Sequence, residues 1–237
     1  MTGSALLRLG PDQFRVVPWR GDDRVALVSP VPGGPTLERT SVERCVEVLA
    51  GRGIHHLVTS ALSWGEQASF LAAGFQVREH LHLLAHDLRA LPPSPPDLRM
   101  RRARRAERSA VLDVDHVAFD EFWRLDDGGL SDALEATGAS RFRVALDPGV
   151  IGYAITGRAG TRGYVQRLAV RPTRQREGVA SGLVIDGLRW LRRHGVLQAV
   201  VNTQADNAAA LRTYEQLGFR RQPEGLAVLA RSTGRRP

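Results

Sequence analysis

The stretch LAVRPTRQREGVASGLVIDGL, residues 168–188, passes from an apolar run through an arginine-rich bridge into an apolar pattern of helical period. Val184, Leu188 and Leu191 lie on one face of this pattern, so we predict a helix that begins near Gly178 and ends at His194-Gly195. A strand, a glycine-bearing loop and a helix start direct several free backbone N–H groups and the positive end of the helix dipole at one place. The stretch therefore predicts an anion site, and a pyrophosphate suits it.

The residues before this stretch predict a β-meander. The apolar runs RFRVAL (141–146) and VIGYAIT (150–156) flank Asp147-Pro148-Gly149, which is typical of a hairpin turn. A third run, GYVQRLAV (163–170), follows another glycine-rich turn and leads into the bridge. Further on, strands alternate with helical patterns, which indicates the α/β class.

Two motifs carry a family resemblance. The first is Gln175-x-x-Gly178-x-Ala180, preceded by Val170-x-Pro172 at the end of a strand. The second, in ADNAAALRTYEQLGF, follows the next strand and places Asn207, Ala210, Tyr214, Gly218 and Phe219 at the spacing N-x-x-A-x-x-x-Y-x-x-x-G-F. In this order the two motifs resemble the GNAT superfamily, the GCN5-related N-acetyltransferases, over about residues 97–231.

The resemblance implies a GNAT fold, a mixed central sheet flanked by helices, with acetyl-CoA as co-substrate and no metal. In the family the fourth strand presents backbone groups to the pantetheine arm, the loop binds the pyrophosphate, and a later tyrosine protonates the departing thiolate. Tyr214 is then the expected catalytic acid. The expected cofactor-binding residues are Leu168, Ala169, Val170, Gln175, Arg176, Glu177, Gly178, Val179, Ala180, Ser181 and Asn207.

Each of these roles has a structural alternative. Tyr214 lies at helical spacing between Leu211 and Leu217, as a core aromatic residue would. Asn207 suits a helix N-cap equally well, and the two roles are compatible. Arg174 and Arg176 either reach phosphates or remain solvated loop charges.

The general base is unassigned. The ribosomal-protein N-terminal acetyltransferases of this superfamily carry a glutamate five residues before the asparagine, where this chain has Asn202, which cannot act as a base. A water relay, Glu121 or Asp127 are the alternatives. The two-repeat plan and the Asp-Asn before the tyrosine helix also resemble mycothiol synthase, a tandem member of the superfamily.

The acceptor side is predicted in residues 110–137, which hold eight acidic residues and one arginine. Phe119, Phe122 and Trp123 lie among them, and in the family this region forms one wall of the acceptor site. Acidic and aromatic side chains suit a cationic amine, so these three residues and Asp127 are the expected substrate contacts. An ordinary amphipathic helix with a solvated acidic face is the alternative.

The proline-rich stretch PPSPP at 92–96 predicts a linker, because prolines end both helices and central strands. We expect a half-domain at 1–90, the linker at 91–97, the catalytic domain at 98–231 and a basic tail at 232–237. The half-domain repeats the order helix, strand, helix, Gly-Phe and strand, with Gly53 matching Gly195. When the two halves of the repeat are aligned, Glu38 corresponds to Ala180 and Phe70 to Tyr214. We therefore expect the half-domain to be a degenerate partner without a CoA site, which covers the sheet or shapes the acceptor cleft.

Composition limits the remaining functions. The 33 basic residues are all arginine, and the formal net charge of +8 arises entirely in residues 97–237. The single cysteine, Cys45, excludes an internal disulfide and lies at a buried helical position. With no apolar run long enough for a membrane span and no signal peptide, we expect a cytoplasmic location.

We predict an acetyl-CoA-dependent N-acetyltransferase that acts on a primary amine, which belongs either to a small molecule or to a protein N-terminus. The alternative is an inactive CoA-binding or nucleic-acid-binding regulator, whose nucleic-acid binding would depend steeply on salt.

Overall fold

The computed structural model describes residues 5–31, 33–95 and 98–234. In chain order its helices and strands are β1 (Ala5–Leu9), β2 (Asp12–Trp19), β3 (Asp22–Pro30), α1 (Arg39–Gly51), β4 (His56–Thr59), β5 (Leu62–Ser63), α2 (Trp64–Ala72), β6 (Gln76–His86), β7 (Met100–Arg102), α3 (Arg108–Ala118), α4 (Asp127–Glu135), β8 (Ala139–Leu146), β9 (Val150–Ala159), β10 (Arg162–Val170), α5 (Val179–Arg193), β11 (Gln198–Gln204), α6 (Ala208–Gln216), β12 (Arg220–Arg221) and β13 (Leu226–Ser232). None of the helices in the described part of the chain is both long and apolar enough to cross a membrane.

The chain forms two compact units. Unit 1 contains the described residues of Met1–His82 and of Pro223–Pro237, and unit 2 contains those of Leu83–Gln222. The chain therefore leaves unit 1 within β6 and returns to it for β13. The linker and domain limits expected from the sequence stay predictions, and Pro96, Asp97 and the end of the basic tail (235–237) lie outside the described residues.

Unit 2 is built on a mixed sheet with strand order β11-β10-β9-β8-β7. The hairpin of β8 and β9 turns at the predicted Asp147-Pro148-Gly149, and β9 and β10 form the next antiparallel pair. The register of β10 against β9 shifts between Val165 and Arg167, so Gln166 is the extra residue of a β-bulge. The mixed sheet of the α/β prediction is confirmed.

Helices cover both faces of this sheet. Helices α3 and α4 pack on one face, around Val111, Val114 and Leu130. Helix α5 packs on the other face, where Gly163 and Gly187 leave room for the side chains of Leu191 and Thr156. The helix predicted from residues 168–188 is confirmed, since Gly178 is its N-cap and His194 its C-cap.

Unit 1 repeats part of this plan. Its strands follow the order β1-β2-β3-β4-β13-β6, and its helix α1 buries Val42, Cys45, Val46 and Leu49. Burial raises the pKa of the Cys45 thiol to about 12, which fits a core position rather than a reactive one. Helix α2 carries Phe70, which is fully buried in the core of this unit.

In unit 1, strand β4 is paired with the parallel strand β3 along its whole length. Every residue of β4 pairs with β3, from His56 opposite Val25 to Thr59 opposite Val28, and the Ser60 N–H extends the contact to the Val28 carbonyl at 3.3 Å. A backbone that is already paired offers no free N–H or C=O groups to a ligand arm. The absence of a CoA site from the half-repeat stays a prediction.

Candidate functional site

The sheet of unit 2 opens between β10 and β11. These strands pair in parallel at Arg162–Tyr164 and Gln198–Val200, and among the described residues their pairing goes no further. Both strands nevertheless continue, β10 to Val170 and β11 to Gln204. β10 stays paired with β9 along its other edge, so beyond Tyr164 only the backbone groups that point towards β11 face an opening. The predicted residues Leu168, Ala169 and Val170 lie in this stretch.

The predicted pyrophosphate loop follows directly at the end of β10. Gln175, Arg176 and Glu177 are exposed, and Gly178 lies in the left-handed region with φ +79°. This conformation favours glycine because it strains residues that carry a β-carbon. A tight left-handed turn thus precedes the first turn of α5.

Helix α5 presents its first N–H groups at this loop. Its first intrahelical bond runs from the Gly182 N–H to the Gly178 carbonyl at 2.9 Å, so the N–H groups of Val179, Ala180 and Ser181 have no acceptor within the helix. Ala180 and Ser181 are half-buried, whereas the side chain of Val179 is buried in the core. Val179 can therefore offer a ligand only its backbone.

The two arginines of the loop differ in their surroundings. Arg174 binds the carboxylates of Asp147 and Glu177, at 2.9 Å for the latter. Arg176 is exposed and has a left-handed backbone with φ +65°. Of the two, only Arg176 is held by no carboxylate among the described residues.

The proline-rich segment lies along α5. Ser94 accepts a hydrogen bond from Arg189 at 2.6 Å. A β-carbon on Gly178 would lie 3.4 Å from Pro95, and one on Gly182 would lie 2.4 Å from a methyl group of Leu98. The segment thus runs beside α5 from its third turn to its N-terminus.

Tyr214 and Asn207 lie on and before α6. Tyr214 is 5% exposed, its ring contacts that of Phe219 edge to face at 5.5 Å, and it packs with the core of unit 2. Burial raises the pKa of its hydroxyl well above its ordinary value of 10. The Asn207 side chain accepts the Ala210 N–H at 3.0 Å, so it is an N-cap. Both residues hold the structural positions that the sequence offered as alternatives, and their proposed chemical roles remain predictions.

Of the predicted acceptor residues, Phe119, Phe122 and Trp123 lie between α3 and α4, and Asp127 is the first residue of α4. Phe119, Phe122 and Trp123 are half-buried, and the rings of Phe122 and Trp123 meet edge to face at 4.9 Å. Asp127 is exposed and binds Arg108 at 2.7 Å. This hydrogen bond lowers the pKa of the Asp127 carboxyl, which makes it a weak base. Glu121 and Asn202 are exposed.

A buried ion pair beneath these aromatic residues was not predicted. Asp115 on α3 is fully buried and binds Arg167 of β10 through two hydrogen bonds of 2.8 Å. The Tyr153 hydroxyl and the Leu125 N–H also donate to Asp115. The available signals were an aspartate on the apolar face of a helix and an arginine inside an apolar strand, and the sequence does not show that they meet.

Comparison with known proteins agrees with this geometry. Residues 104–219 match the model of the acetyltransferase (GNAT) family. The mycothiol acetyltransferase of Gordonia bronchialis is 31% identical over 176 residues, which cover 66% of this chain and 56% of that protein. The mycothiol acetyltransferase of Amycolatopsis mediterranei is 33% identical over 134 residues, covering 48% of this chain and 43% of that protein. The chain thus spans about half the length of the curated relatives it matches.

Solved structures show the same fold. A tandem GNAT protein from the clavulanic acid biosynthesis pathway superposes with a TM-score of 0.72 at 13% identity, covering 100% of this chain and 85% of that chain. A GCN5-related N-acetyltransferase from Kribbella flavida superposes with a TM-score of 0.66 at 14% identity, covering 96% of this chain and 89% of that chain. The match to a tandem protein is compatible with the predicted half-repeat. The match to the GNAT acetyltransferase family model thus covers residues 104–219, and these solved structures share the fold of the chain.

Proposed function

We propose that unit 2 is an acetyl-CoA-dependent N-acetyltransferase that transfers acetyl to a primary amine within a ternary complex. The observation that carries this proposal is the opening between β10 and β11, which leads directly to the left-handed Gly178 and the free N–H groups of α5. An extended pantetheine arm fits an unpaired strand edge, and a pyrophosphate fits the N-terminus of a helix. In unit 1 the matching strand β4 is paired with β3 along its whole length.

The reaction needs no nucleophile from the protein. The amine nitrogen attacks the thioester carbonyl carbon, the C–N bond forms, and the C–S bond then breaks with its electron pair on sulfur. Backbone N–H groups on the open edge of β10, beyond Tyr164 and towards β11, stabilise the oxyanion. The proton of the amine passes to water, because Asp127 is a weak base and Asn202 is not a base.

Tyr214 is the proposed proton donor to the thiolate. Since burial raises the pKa of its hydroxyl, the group stays protonated across the working pH range and remains able to donate. A buried phenolate is unfavourable, so the hydroxyl stabilises the thiolate chiefly by hydrogen bonding while water resupplies any proton that is transferred.

The acceptor is proposed to be a small molecule. The two relatives described above are named for mycothiol, a small molecule, and this favours a small amine over a protein N-terminus. Phe119, Phe122, Trp123 and Asp127 are its proposed contacts.

Titration calorimetry with acetyl-CoA tests the proposed cofactor site. We expect micromolar binding by the wild type and loss of binding in Gly178→Glu, because a carboxylate at the loop repels the pyrophosphate. Gly195→Glu is the matched control, since Gly195 also has a left-handed backbone, with φ +71°, and lies at the opposite end of α5 in open space. This control should bind as the wild type does.

Release of the CoA thiol with a panel of primary amines then tests transfer. Wild-type protein that binds no acetyl-CoA would defeat the proposal and favour the regulator. Equal loss of binding in Gly178→Glu and Gly195→Glu would show that backbone strain, rather than the loop, is responsible.

A further inference from the structure

Arg167 joins a strand at the opening to the aromatic segment 119–125. It follows the bulge residue Gln166 on β10 and immediately precedes Leu168, the first of the proposed pantetheine contacts. Its Nε and Nη2 atoms donate to the two carboxylate oxygens of Asp115, each at 2.8 Å. This fork geometry fixes the guanidinium plane, which a lysine ammonium could not do.

The same guanidinium holds the aromatic segment directly. Nη2 also donates to the Trp123 carbonyl at 2.6 Å, and the guanidinium carbon lies 3.6 Å from the centre of the Phe119 ring. The Leu125 N–H donates to Asp115 at 2.7 Å. Segment 119–125 is therefore bound near its start, at its middle and at its end by one ion pair.

Most other hydrogen bonds of the segment are local. The Arg124 guanidinium donates to the Phe119 carbonyl at 3.2 Å, and the His116 ring of α3 contacts the Leu125 carbonyl at 2.7 Å. The segment contains a single short helical turn, Glu121–Trp123, and Asp120, Glu121 and Arg124 are exposed. Phe119, Phe122 and Trp123 are only half-buried. A segment with few buried contacts opens at low free energy unless specific bonds hold it.

The ion pair also neutralises the charge of Arg167 beside the aromatic segment. The Arg167 side chain is 13% exposed and its partner is fully buried, so the positive charge is neutralised where it stands. Arg167 therefore presents no net positive charge to a cationic amine that approaches the aromatic segment.

We propose that Arg167 is a positioning residue that holds the aromatic segment 119–125 against β10 and thereby sets the affinity for the acceptor amine. This inference rests on the proposed acetyltransferase function. Arg167 acts through Phe119, Trp123 and Asp115, and the proposed chemistry at Tyr214 and the phosphate loop does not require it.

Arg167→Lys tests the proposal, with Arg141→Lys as the matched control. Arg141 of β8 forms an equivalent two-bond pair with Asp186 of α5, at 2.7 and 3.0 Å, on the opposite face of the same sheet. Steady-state kinetics would use acetyl-CoA and the amine from the panel that the wild type acetylates fastest. We expect Arg167→Lys to raise the KM for that amine at least about tenfold, with little change in kcat or in the calorimetric Kd for acetyl-CoA. Arg141→Lys should leave all three values near those of the wild type.

Hydrogen exchange supplies a readout that does not depend on turnover. Amide exchange in Arg167→Lys should accelerate within residues 119–125 and stay unchanged in α5. If Arg167→Lys does not fold, the double variant Asp115→Asn/Arg167→Met, which removes both charges together, is measured in the same way.

The outcomes separate the two proposals. A wild type that acetylates no amine overturns the proposed function and the inference that rests on it. A wild type that turns over, together with an Arg167→Lys variant of unchanged KM, overturns the inference alone. Parallel losses of kcat, acetyl-CoA affinity and thermal stability would also overturn it, because they indicate a purely structural ion pair.

Discussion

The hydroxyl of Tyr214 can be removed with little disturbance of the core. Its ring lies in the same core cluster as buried residues of α5 and contacts Phe219, and a phenylalanine would keep these contacts. We expect Tyr214→Phe to lower kcat about tenfold to a thousandfold, because a donor to the developing thiolate is lost. The calorimetric Kd for acetyl-CoA should stay within a factor of about three.

Thermal unfolding provides the control for that variant. The melting temperature of Tyr214→Phe should match that of the wild type within a few degrees, about 1 kcal/mol of unfolding free energy or less. An unchanged kcat would mean that the tyrosine is a core residue only, as its spacing in the helix also allowed.

At the scale of single residues, the sequence predicts the position of a residue within its helix or loop better than it predicts contacts between residues far apart in the chain. Gly178, Asn207 and Tyr214 could be placed because each stands at a fixed distance from a helix end. Asp115 and Arg167 are 52 residues apart and meet only because α3 packs across β10. No local pattern contains that contact.

At the scale of the secondary-structure elements, α5 packs closely against its surroundings at two glycines, Gly182 and Gly187, which have different neighbours. A β-carbon on Gly187 would lie 2.4 Å from the hydroxyl oxygen of Thr156 in the sheet, and one on Gly182 would lie 2.4 Å from a terminal methyl group of Leu98. Thr156 is buried and stiff because it is β-branched, whereas the end of a leucine side chain can move.

Alanine at these two positions should therefore have unequal effects. Alanine favours a helix over glycine by about 1 kcal/mol, but overpacking against the sheet costs roughly 1–3 kcal/mol. We expect Gly187→Ala to lower the melting temperature and Gly182→Ala to change it little or raise it. Calorimetric melting of the two variants side by side checks this, and equal melting temperatures would contradict the packing argument.

The strands and helices of unit 2 follow from periodicity and turn residues. The hairpin at Asp147-Pro148-Gly149 and the helix start at Gly178 are local signals, and both are confirmed. The bulge at Gln166 and the end of pairing at Tyr164 are properties of how two strands meet. The opening could therefore be expected only from the family resemblance, not from the strand sequence.

At the scale of the whole molecule, β13 completes unit 1 from a distant part of the sequence. It pairs with β4 and with the first part of β6, and its residues Ala227, Val228 and Leu229 are buried. The Leu229 N–H also donates to the Thr59 hydroxyl at 2.9 Å. The half-repeat in the sequence did not predict this return, because the pattern of β13 resembles that of any buried strand.

Removal of residues 223–237 should therefore affect unit 1 selectively. We expect amide exchange in α1 and β4 to become faster, because β4 loses β13, one of its two partner strands, and the core loses buried apolar surface. Acetyl-CoA binding by unit 2 should persist. Removal of residues 235–237 alone, which lie beyond β13, is the control, and unchanged exchange in the longer truncation would contradict the assignment of β13 to unit 1.

Because β13 belongs to unit 1 but lies near the end of the sequence, the ribosome synthesises all of unit 2 before it completes unit 1. Domains usually fold as they emerge, with the N-terminal one first. Here the residues of unit 2 form one continuous stretch, Leu83–Gln222, whereas unit 1 lacks a central strand until residues 226–232 have been made. The unit whose synthesis begins first is thus the last to be complete, and the nascent chain must keep its exposed β4 edge from pairing wrongly while unit 2 folds.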